Sequence, residues 1–429
     1  MKNTTHVADG AAITGAVLRP LSKGIGFLDQ PLDSGDVAKP GWNLLREDLS
    51  LPTAVLYEEK IAHNLAWMQK FADAHGTKLA PHGKTSMAPK LWHRQLQEGA
   101  WGMTLATVHQ VRVAYDYGVR RVLMANQLVG KQNIAMISRL LEDKDFEFFC
   151  LVDSAEVVEA LGRFLGSRRQ RLNVLLEVGV QGGRTGVRNH EQLEAILTAL
   201  NAWKDGVILC GVELFEGLLS DEKAIREFLQ NAVDVTKDVA RQNRFQRSPV
   251  ILTGAGSAWF DVVAEIFSKS KFDFEVELLL RSGCYVTHDA GVYRDAQARM
   301  MKQNPVAQKM APGLIPALQL WAYVQSVPEK NAAIVGFGKR DAAFDAGLPI
   351  PALHFRPGEN QPTAASQDWK ITRLWDQHAH MQIQESDDLR VGDMIGFDIS
   401  HPCLTFDKWR YLPVVNANFQ VIDVVETFF

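Results

Sequence analysis

The sequence predicts an α/β protein, a closed (β/α)8 TIM barrel followed by an all-β domain. Three observations carry that expectation. Eight short apolar runs alternate with helix-length amphipathic stretches over about 200 residues, the count and span of such a barrel. No GxGxxG turn follows the first run, which disfavours an open dinucleotide-binding sheet. Past Phe274 the helical alternation stops, and strand-like runs broken by Gly, Pro and Asp take over. The expected division is an arm over 1–50 packing with the β-domain, a barrel over 51–275 and a β-domain over 276–429.

In the arm, Val17-Leu18-Arg19-Pro20 and Gly24-Ile25-Gly26 read as loop or edge structure, with one or two short strands. The run 53–57 is the first barrel strand, and the helix after it sets Ile61, Leu65, Met68 and Phe71 on one face. Further strands are expected at 78–81, 101–105, 121–125, 147–153, 172–178, 206–215 and 250–252. Helices are expected at 88–96, 108–117, 133–141, 154–165, 190–202 and 222–241. The β-domain should hold strands at 277–280, 283–287, 318–327, 332–335, 380–384, 393–399, 412–415 and 420–425.

Composition narrows the function classes. The 429 residues are 46% hydrophobic and carry a formal net charge of -4, which argues against nucleic-acid or anionic-membrane partners. No apolar run reaches membrane-span length. The opening Met1-Lys2-Asn3-Thr4-Thr5-His6 lacks a signal-peptide core, so a cytoplasmic protein is expected. Cys150, Cys210, Cys284 and Cys403 form no CxxC pair, which fits a reducing compartment.

Chemistry concentrates where strands end. Leu79-Ala80-Pro81-His82-Gly83-Lys84-Thr85 suits a strand that delivers one amine into a pocket, with Gly83 leaving room for a bound ring. A lysine that is desolvated or beside another cation has a lowered pKa and can form a Schiff base. In Thr253-Gly254-Ala255-Gly256-Ser257, small residues let backbone N–H groups and two hydroxyls converge on one anion. The run from Leu176 to Val187 sets Arg184 in a Gly-rich turn, where a guanidinium can hold an anionic oxygen. Near the end, His401-Pro402-Cys403 can point an imidazole and a thiolate the same way from an extended segment, a donor pair that suits zinc and leaves positions open. His378 and His380 share one strand face and read as surface histidines.

Taken in order, the lysine strand, the Glu-Val-Gly to Gly-Arg-Thr-Gly-Val turn, the Thr-Gly-Ala-Gly-Ser loop, Arg281-Ser282-Gly283-Cys284-Tyr285 and His401-Pro402-Cys403 resemble the D-serine dehydratase and D-threonine aldolase family. That family is a branch of the alanine-racemase-like, fold-type III pyridoxal-phosphate enzymes, and the likeness runs from about Leu51 to the end. The resemblance implies a barrel plus β-domain, with Lys84 bonded to pyridoxal 5'-phosphate and acting as catalytic base. It also implies cofactor contacts from His82, Arg184, Thr253, Gly254, Gly256, Ser257 and Tyr285, and a zinc pair of His401 and Cys403. Aldolase relatives usually carry Asp at the second metal position, so Cys403 favours elimination. Phe215 stands where relatives often have Tyr, and Leu218 where His is common.

The expected function is therefore a metal-assisted dehydratase (ammonia-lyase) of a 3-hydroxy-D-amino acid such as D-serine. A D-threonine-type aldolase, an amino-acid racemase and a non-catalytic cofactor carrier are the alternatives. A homodimer is expected by resemblance.

Overall fold

A computed structural model of the chain describes residues 17–429, so the first sixteen residues of the expected arm lie outside the described residues. The chain forms two compact units. The first comprises Gln69–Lys84 and Trp92–Gly283; the second comprises the described chain up to Met68, Thr85–Leu91 and Cys284–Phe429.

The first unit is the barrel. Its strands are hydrogen-bonded in the order Lys78–Leu79, Val276–Leu280, Val250–Gly254, Val207–Leu214, Leu172–Val178, Glu147–Val152, Arg121–Gln127 and Met103–Leu105, all parallel. The ring closes between its ends through a parallel bridge of His82 with Thr104 and a bond from Thr104 N–H to the Pro81 carbonyl at 2.8 Å. Near-continuous apolar runs form these strands because helices cover them outside while side chains fill the interior. Leu123, Phe149, Leu175, Ile251 and Leu279 pack in one cluster there. The outer helices begin where a short polar side chain caps the first turn, as Thr107, Ser154, Asn189 and Asp221 do.

The second unit is built on antiparallel strands around Leu318–Glu329, which pairs with Ala332–Val335 and Met394–Asp398. Its core joins Leu18, Ile25, Trp42 and Leu44 of the arm to Trp321, Met394 and Val415. Among the described residues no helix is long and apolar enough to cross a membrane.

Two strand assignments exchange places. Thr53–Tyr57, expected to open the barrel, pairs antiparallel with Leu318–Glu329 and parallel with Tyr411–Val415 in the second unit. Val276–Leu280, expected in the β-domain, is the barrel strand between Val250–Gly254 and Lys78–Leu79. A fully buried apolar run reads alike in either sheet, because its residue types do not name its partner. The segment 283–287 is a helical turn over Cys284–Val286, not a strand, and the helix Val292–Gln303 follows it. The polar composition of that helix hid its period.

Gly211 shows how closely the barrel strands approach. A Cβ there would lie 2.0 Å from the Ile251 carbonyl oxygen. Gly211→Ala should therefore destabilise the protein by about 3 kcal/mol, the upper end of overpacking costs, read as a lowered urea midpoint at unchanged slope.

Candidate active site

The carboxyl ends of the barrel strands gather an ionised, polar layer above the apolar interior. Lys84 sits in a one-turn helix, Gly83–Thr85, after Lys78–Leu79. The room expected beside Gly83 is taken by Trp92, whose indole Nε1–H donates to the Gly83 carbonyl at 3.1 Å. A Cβ at Gly83 would meet that ring at 2.8 Å. Glycine is thus required here by packing. Lys84 itself is exposed rather than desolvated.

His82 is held by its backbone N–H to the Arg281 carbonyl at 3.1 Å. Burial, and then the charges of Lys84, Arg281 and Arg184, keep its imidazole well below the ordinary pKa of 6.5, so the ring is neutral at pH 7. Its Nδ1 is covered and has no hydrogen-bond partner.

Arg281 was missed as a site residue. Its guanidinium is 4% exposed and donates to Glu213, 2% exposed, and to the Leu214 carbonyl at 2.7 Å. Burial pushes the Glu213 carboxyl up and the Arg281 charge pulls it back. The arginine cannot give up its proton, so the carboxylate serves as its counter-ion. Glu213 Oε2 and Arg281 Nε are covered and without partners. A lone carboxylate inside the apolar run from Val207 to Leu214 was the available signal.

The turn after Leu172–Val178 is tied down by acids. Glu177, raised by burial, accepts from Gln127 Nε2 and Thr185 Oγ1, both at 2.5 Å. Gly186 adopts φ 93° and donates its N–H to Asp153 at 3.0 Å. Arg184 is exposed and lies over the Phe215 ring at 4.6 Å.

The loop 253–257 is arranged as an anion cradle, and one anion already lies in it. Glu216 accepts from the Ala255 N–H at 3.1 Å and the Gly256 N–H at 2.7 Å. A Cβ at Gly256 would lie 3.0 Å from the Phe215 ring, which would have to give way to a larger residue. Thr253 Oγ1 donates to the Leu279 carbonyl at 3.2 Å. Ser257 and Gly254 flank the cradle, and Ser282 Oγ closes it with a 3.0 Å bond to the Gly256 carbonyl.

The remaining expected residues lie in the second unit. Tyr285, 3% exposed, sits in the turn Cys284–Val286. Pro402 is helical in backbone, and Cys403 begins the short helix Cys403–Phe406, so the extended geometry expected for His401 and Cys403 is absent. The His401 Nδ1 contacts Asp345 at 2.8 Å, which leaves Nε2 for another partner. Cys403 Sγ lies 3.5 Å from Cys284 Sγ and 3.5 Å from Thr85 Oγ1. His378 and His380 border a surface depression with Trp375, whose lining does not include Lys84, His401 or Cys403.

The residues fit both groups that the sequence implied. A lysine, two arginines and a neutral histidine with an unpartnered ring nitrogen converge on one end of the barrel, as an anionic aldehyde cofactor requires. An imidazole oriented by a carboxylate, and a thiol, form a donor set of borderline-soft character. Cavity size does not override this. An open cavity of about 1230 Å³ lies at the opposite, amino ends of the strands, lined by Arg120, Glu147, Arg171 and Arg247, whereas barrel chemistry sits at the carboxyl ends.

Comparison with known proteins finds two family matches in succession along the chain. Residues 57–263 match the alanine racemase N-terminal domain, and residues 317–415 match the "Putative serine dehydratase domain". The chain thus carries an alanine racemase N-terminal domain and a "Putative serine dehydratase domain", on an alanine-racemase-like fold. It is similar to the 3-hydroxy-D-aspartate aldolase of Paracoccus denitrificans (strain Pd 1222), 22% identical over 90% of this chain and 93% of that protein. The crystal structure of D-threonine aldolase from Filomicrobium marinum superposes with a TM-score of 0.73 at 22% identity, covering 90% and 97% of the two chains. D-threo-3-hydroxyaspartate dehydratase from Delftia sp. HT23 gives 0.70 at 20% identity, over 90% of this chain and 99% of that one. In sequence the same dehydratase is 27% identical over 32% of this chain and 36% of its own length. Solved structures of D-threo-3-hydroxyaspartate dehydratase also include a histidine-to-alanine variant and, two positions on, a cysteine-to-alanine variant in a metal-free form.

Two outcomes follow from the buried charges. Arg281→Met should cost about 3–5 kcal/mol in denaturant unfolding, because Glu213 is left buried without its counter-ion; adding Glu213→Leu should recover most of the loss. The second concerns His288, whose pKa burial lowers to about 4. Below pH 6.5 the unfolded chain takes a proton that the folded one refuses, so stability falls as pH drops from 6.5 toward 4. His288→Asn should flatten that part of the pH–stability curve, by at most about 3 kcal/mol.

Proposed function

We propose that this chain is a pyridoxal-phosphate- and metal-dependent lyase that converts a 3-hydroxy-D-amino acid such as D-serine to a 2-oxo acid and ammonia. The observation that carries the reading is the convergence of Lys84, Arg184 and Arg281 on a neutral His82 at the carboxyl end of the barrel. The second domain contributes an imidazole and thiol two residues apart, the spacing of the two substituted positions in D-threo-3-hydroxyaspartate dehydratase.

When bound, the cofactor supplies an electron sink for charge developing at Cα, and a divalent metal, in our reading zinc, supplies Lewis acidity toward the β-hydroxyl. The chain's own residues do the rest. Lys84 would hold the cofactor aldehyde, and its Nζ would be the base that takes the Cα proton. Neutral His82 offers its covered Nδ1 to a polar atom of the bound group. Arg184 would balance negative charge on the cofactor, while Arg281 is already paired with Glu213. His401 and Cys403 hold the metal, with Asp345 fixing the imidazole tautomer. Gly254, Gly256, Ser257 and Thr253 frame the phosphate, with Tyr285 assigned to it by resemblance. Loss of the Cα proton and the β-hydroxyl removes one water from D-serine, and hydrolysis returns one water to release pyruvate and ammonium, so that atoms balance.

A second reading has its own support. Two of the relatives that align over 90% of this chain are aldolases; in that reaction Cα–Cβ breaks to give glycine and an aldehyde. Cys403 argues for elimination. A cytoplasmic homodimer completes the proposal, on the resemblance to enzymes whose sites are completed by a neighbouring subunit.

Product analysis separates the two. Purified protein given D-serine, D-threonine or a 3-hydroxy-D-aspartate should release 2-oxo acid and ammonia, stop on chelation and resume with zinc. Glycine plus aldehyde as main products would establish the aldolase instead. Cys403→Ala should lose elimination by at least about 10²-fold, the equivalent of a Lewis acid worth several kcal/mol, while cofactor absorbance is unchanged.

A further inference from the structure

The second unit holds two sulfurs that the metal reading only half uses. Cys284 Sγ and Cys403 Sγ are 3.5 Å apart although 119 residues separate them in sequence. That distance is far too long for a disulfide, whose sulfurs sit about 2.05 Å apart. It is close to the edge of a zinc tetrahedron, since two thiolates bound at about 2.3 Å to one tetrahedral ion lie roughly 3.8 Å from each other.

We propose that Cys284 is a second thiolate donor to the metal held by His401 and Cys403, so that the centre has one imidazole, two thiolates and one open position. This inference rests on the metal reading given above and names a ligand that reading does not contain. Three protein ligands and one free site is the composition of a catalytic rather than a structural zinc centre.

The surroundings of the sulfurs suit that role. Thr85 Oγ1 lies 3.7 Å from Cys284 Sγ and 3.5 Å from Cys403 Sγ, so one hydroxyl serves both. The Tyr293 hydroxyl also bonds to Cys284. Each thiol gives up its proton to solvent on binding the cation, and these hydroxyls then donate to the thiolates, as outer groups do in metal centres. Tyr293 is placed by Asp289, whose Oδ1 accepts its backbone N–H at 2.9 Å at the start of the helix Val292–Gln303. Cys284 is 4% exposed, which shields the inner side of the centre, while Cys403 is only partly buried and leaves an approach from outside. Among the described residues no three His, Cys, Asp or Glu side chains form a ready-made metal cage. The sulfur pair is the preformed part of this one.

The test is X-ray absorption at the zinc edge on full-length, cofactor-loaded protein after dialysis against zinc. Two sulfur scatterers at about 2.3 Å with nitrogen or oxygen making up the shell is the expected result. Cys284→Ser should reduce the sulfur count to one and weaken zinc binding, measured by competition with a chromophoric chelator, by at least about tenfold, which even an outer-shell partner is worth. The wild-type spectrum decides the matter even if that variant does not fold. One sulfur in the wild type overturns the role of Cys284 and leaves His401 and Cys403 standing. No zinc bound at all overturns the metal reading, and this inference with it.

Discussion

One residue ties the reactive end of the barrel together. The Arg281 backbone N–H binds the Gly254 carbonyl at 3.0 Å and its carbonyl accepts from His82 at 3.1 Å, while its guanidinium holds Glu213 and the Leu214 carbonyl. Three neighbouring strands and the segment that presents Lys84 are thereby fixed to a single buried charge. Removing an ion pair from water is costly unless its geometry is good and its remaining donors find partners. Here one atom of each partner is left unmatched, Glu213 Oε2 and Arg281 Nε. Unmatched polar atoms at the end of a barrel are what a site built to receive a charged ligand would keep.

The same layer explains why acids and bases with unusual proton affinities crowd together. Burial raises Glu177, Glu213 and Glu216, whereas His82 is lowered by burial and by three cations. Opposite displacements in one small volume mark functional sites more often than chance surfaces. Glu216 has a further consequence, because it occupies the two loop amides that would otherwise greet a phosphate. An incoming phosphate at this loop must share or displace that carboxylate, or use the hydroxyl of Ser257, because the Thr253 hydroxyl already donates to the Leu279 carbonyl.

Much of the barrel was legible because its signals are local. The helices His190–Ala202 and Glu222–Arg241 announce themselves by period and by the caps Asn189 and Asp221. The Pro-His-Gly-Lys run and the Gly-rich turns stood out because glycines and a lone lysine at strand ends are rare combinations of residue types. What stayed hidden is long-range. Thr53–Tyr57 carries no mark of which sheet it joins. Nothing near Asp345 says that it meets His401, 56 residues away, and Cys284 gave no hint of Cys403. The room reserved for a ligand beside Gly83 turned out to be Trp92, since a sequence shows that a side chain is missing but not what fills the space.

The central claim is that the amine of Lys84 carries the cofactor. It is tested most directly by incubating full-length protein with pyridoxal phosphate, reducing it with borohydride and mapping the peptides by mass. A pyridoxyl group on Lys84, absent from Lys84→Ala, is the expected result. A pyridoxyl group on a different lysine, or protein that stays colourless and unmodified, would contradict it.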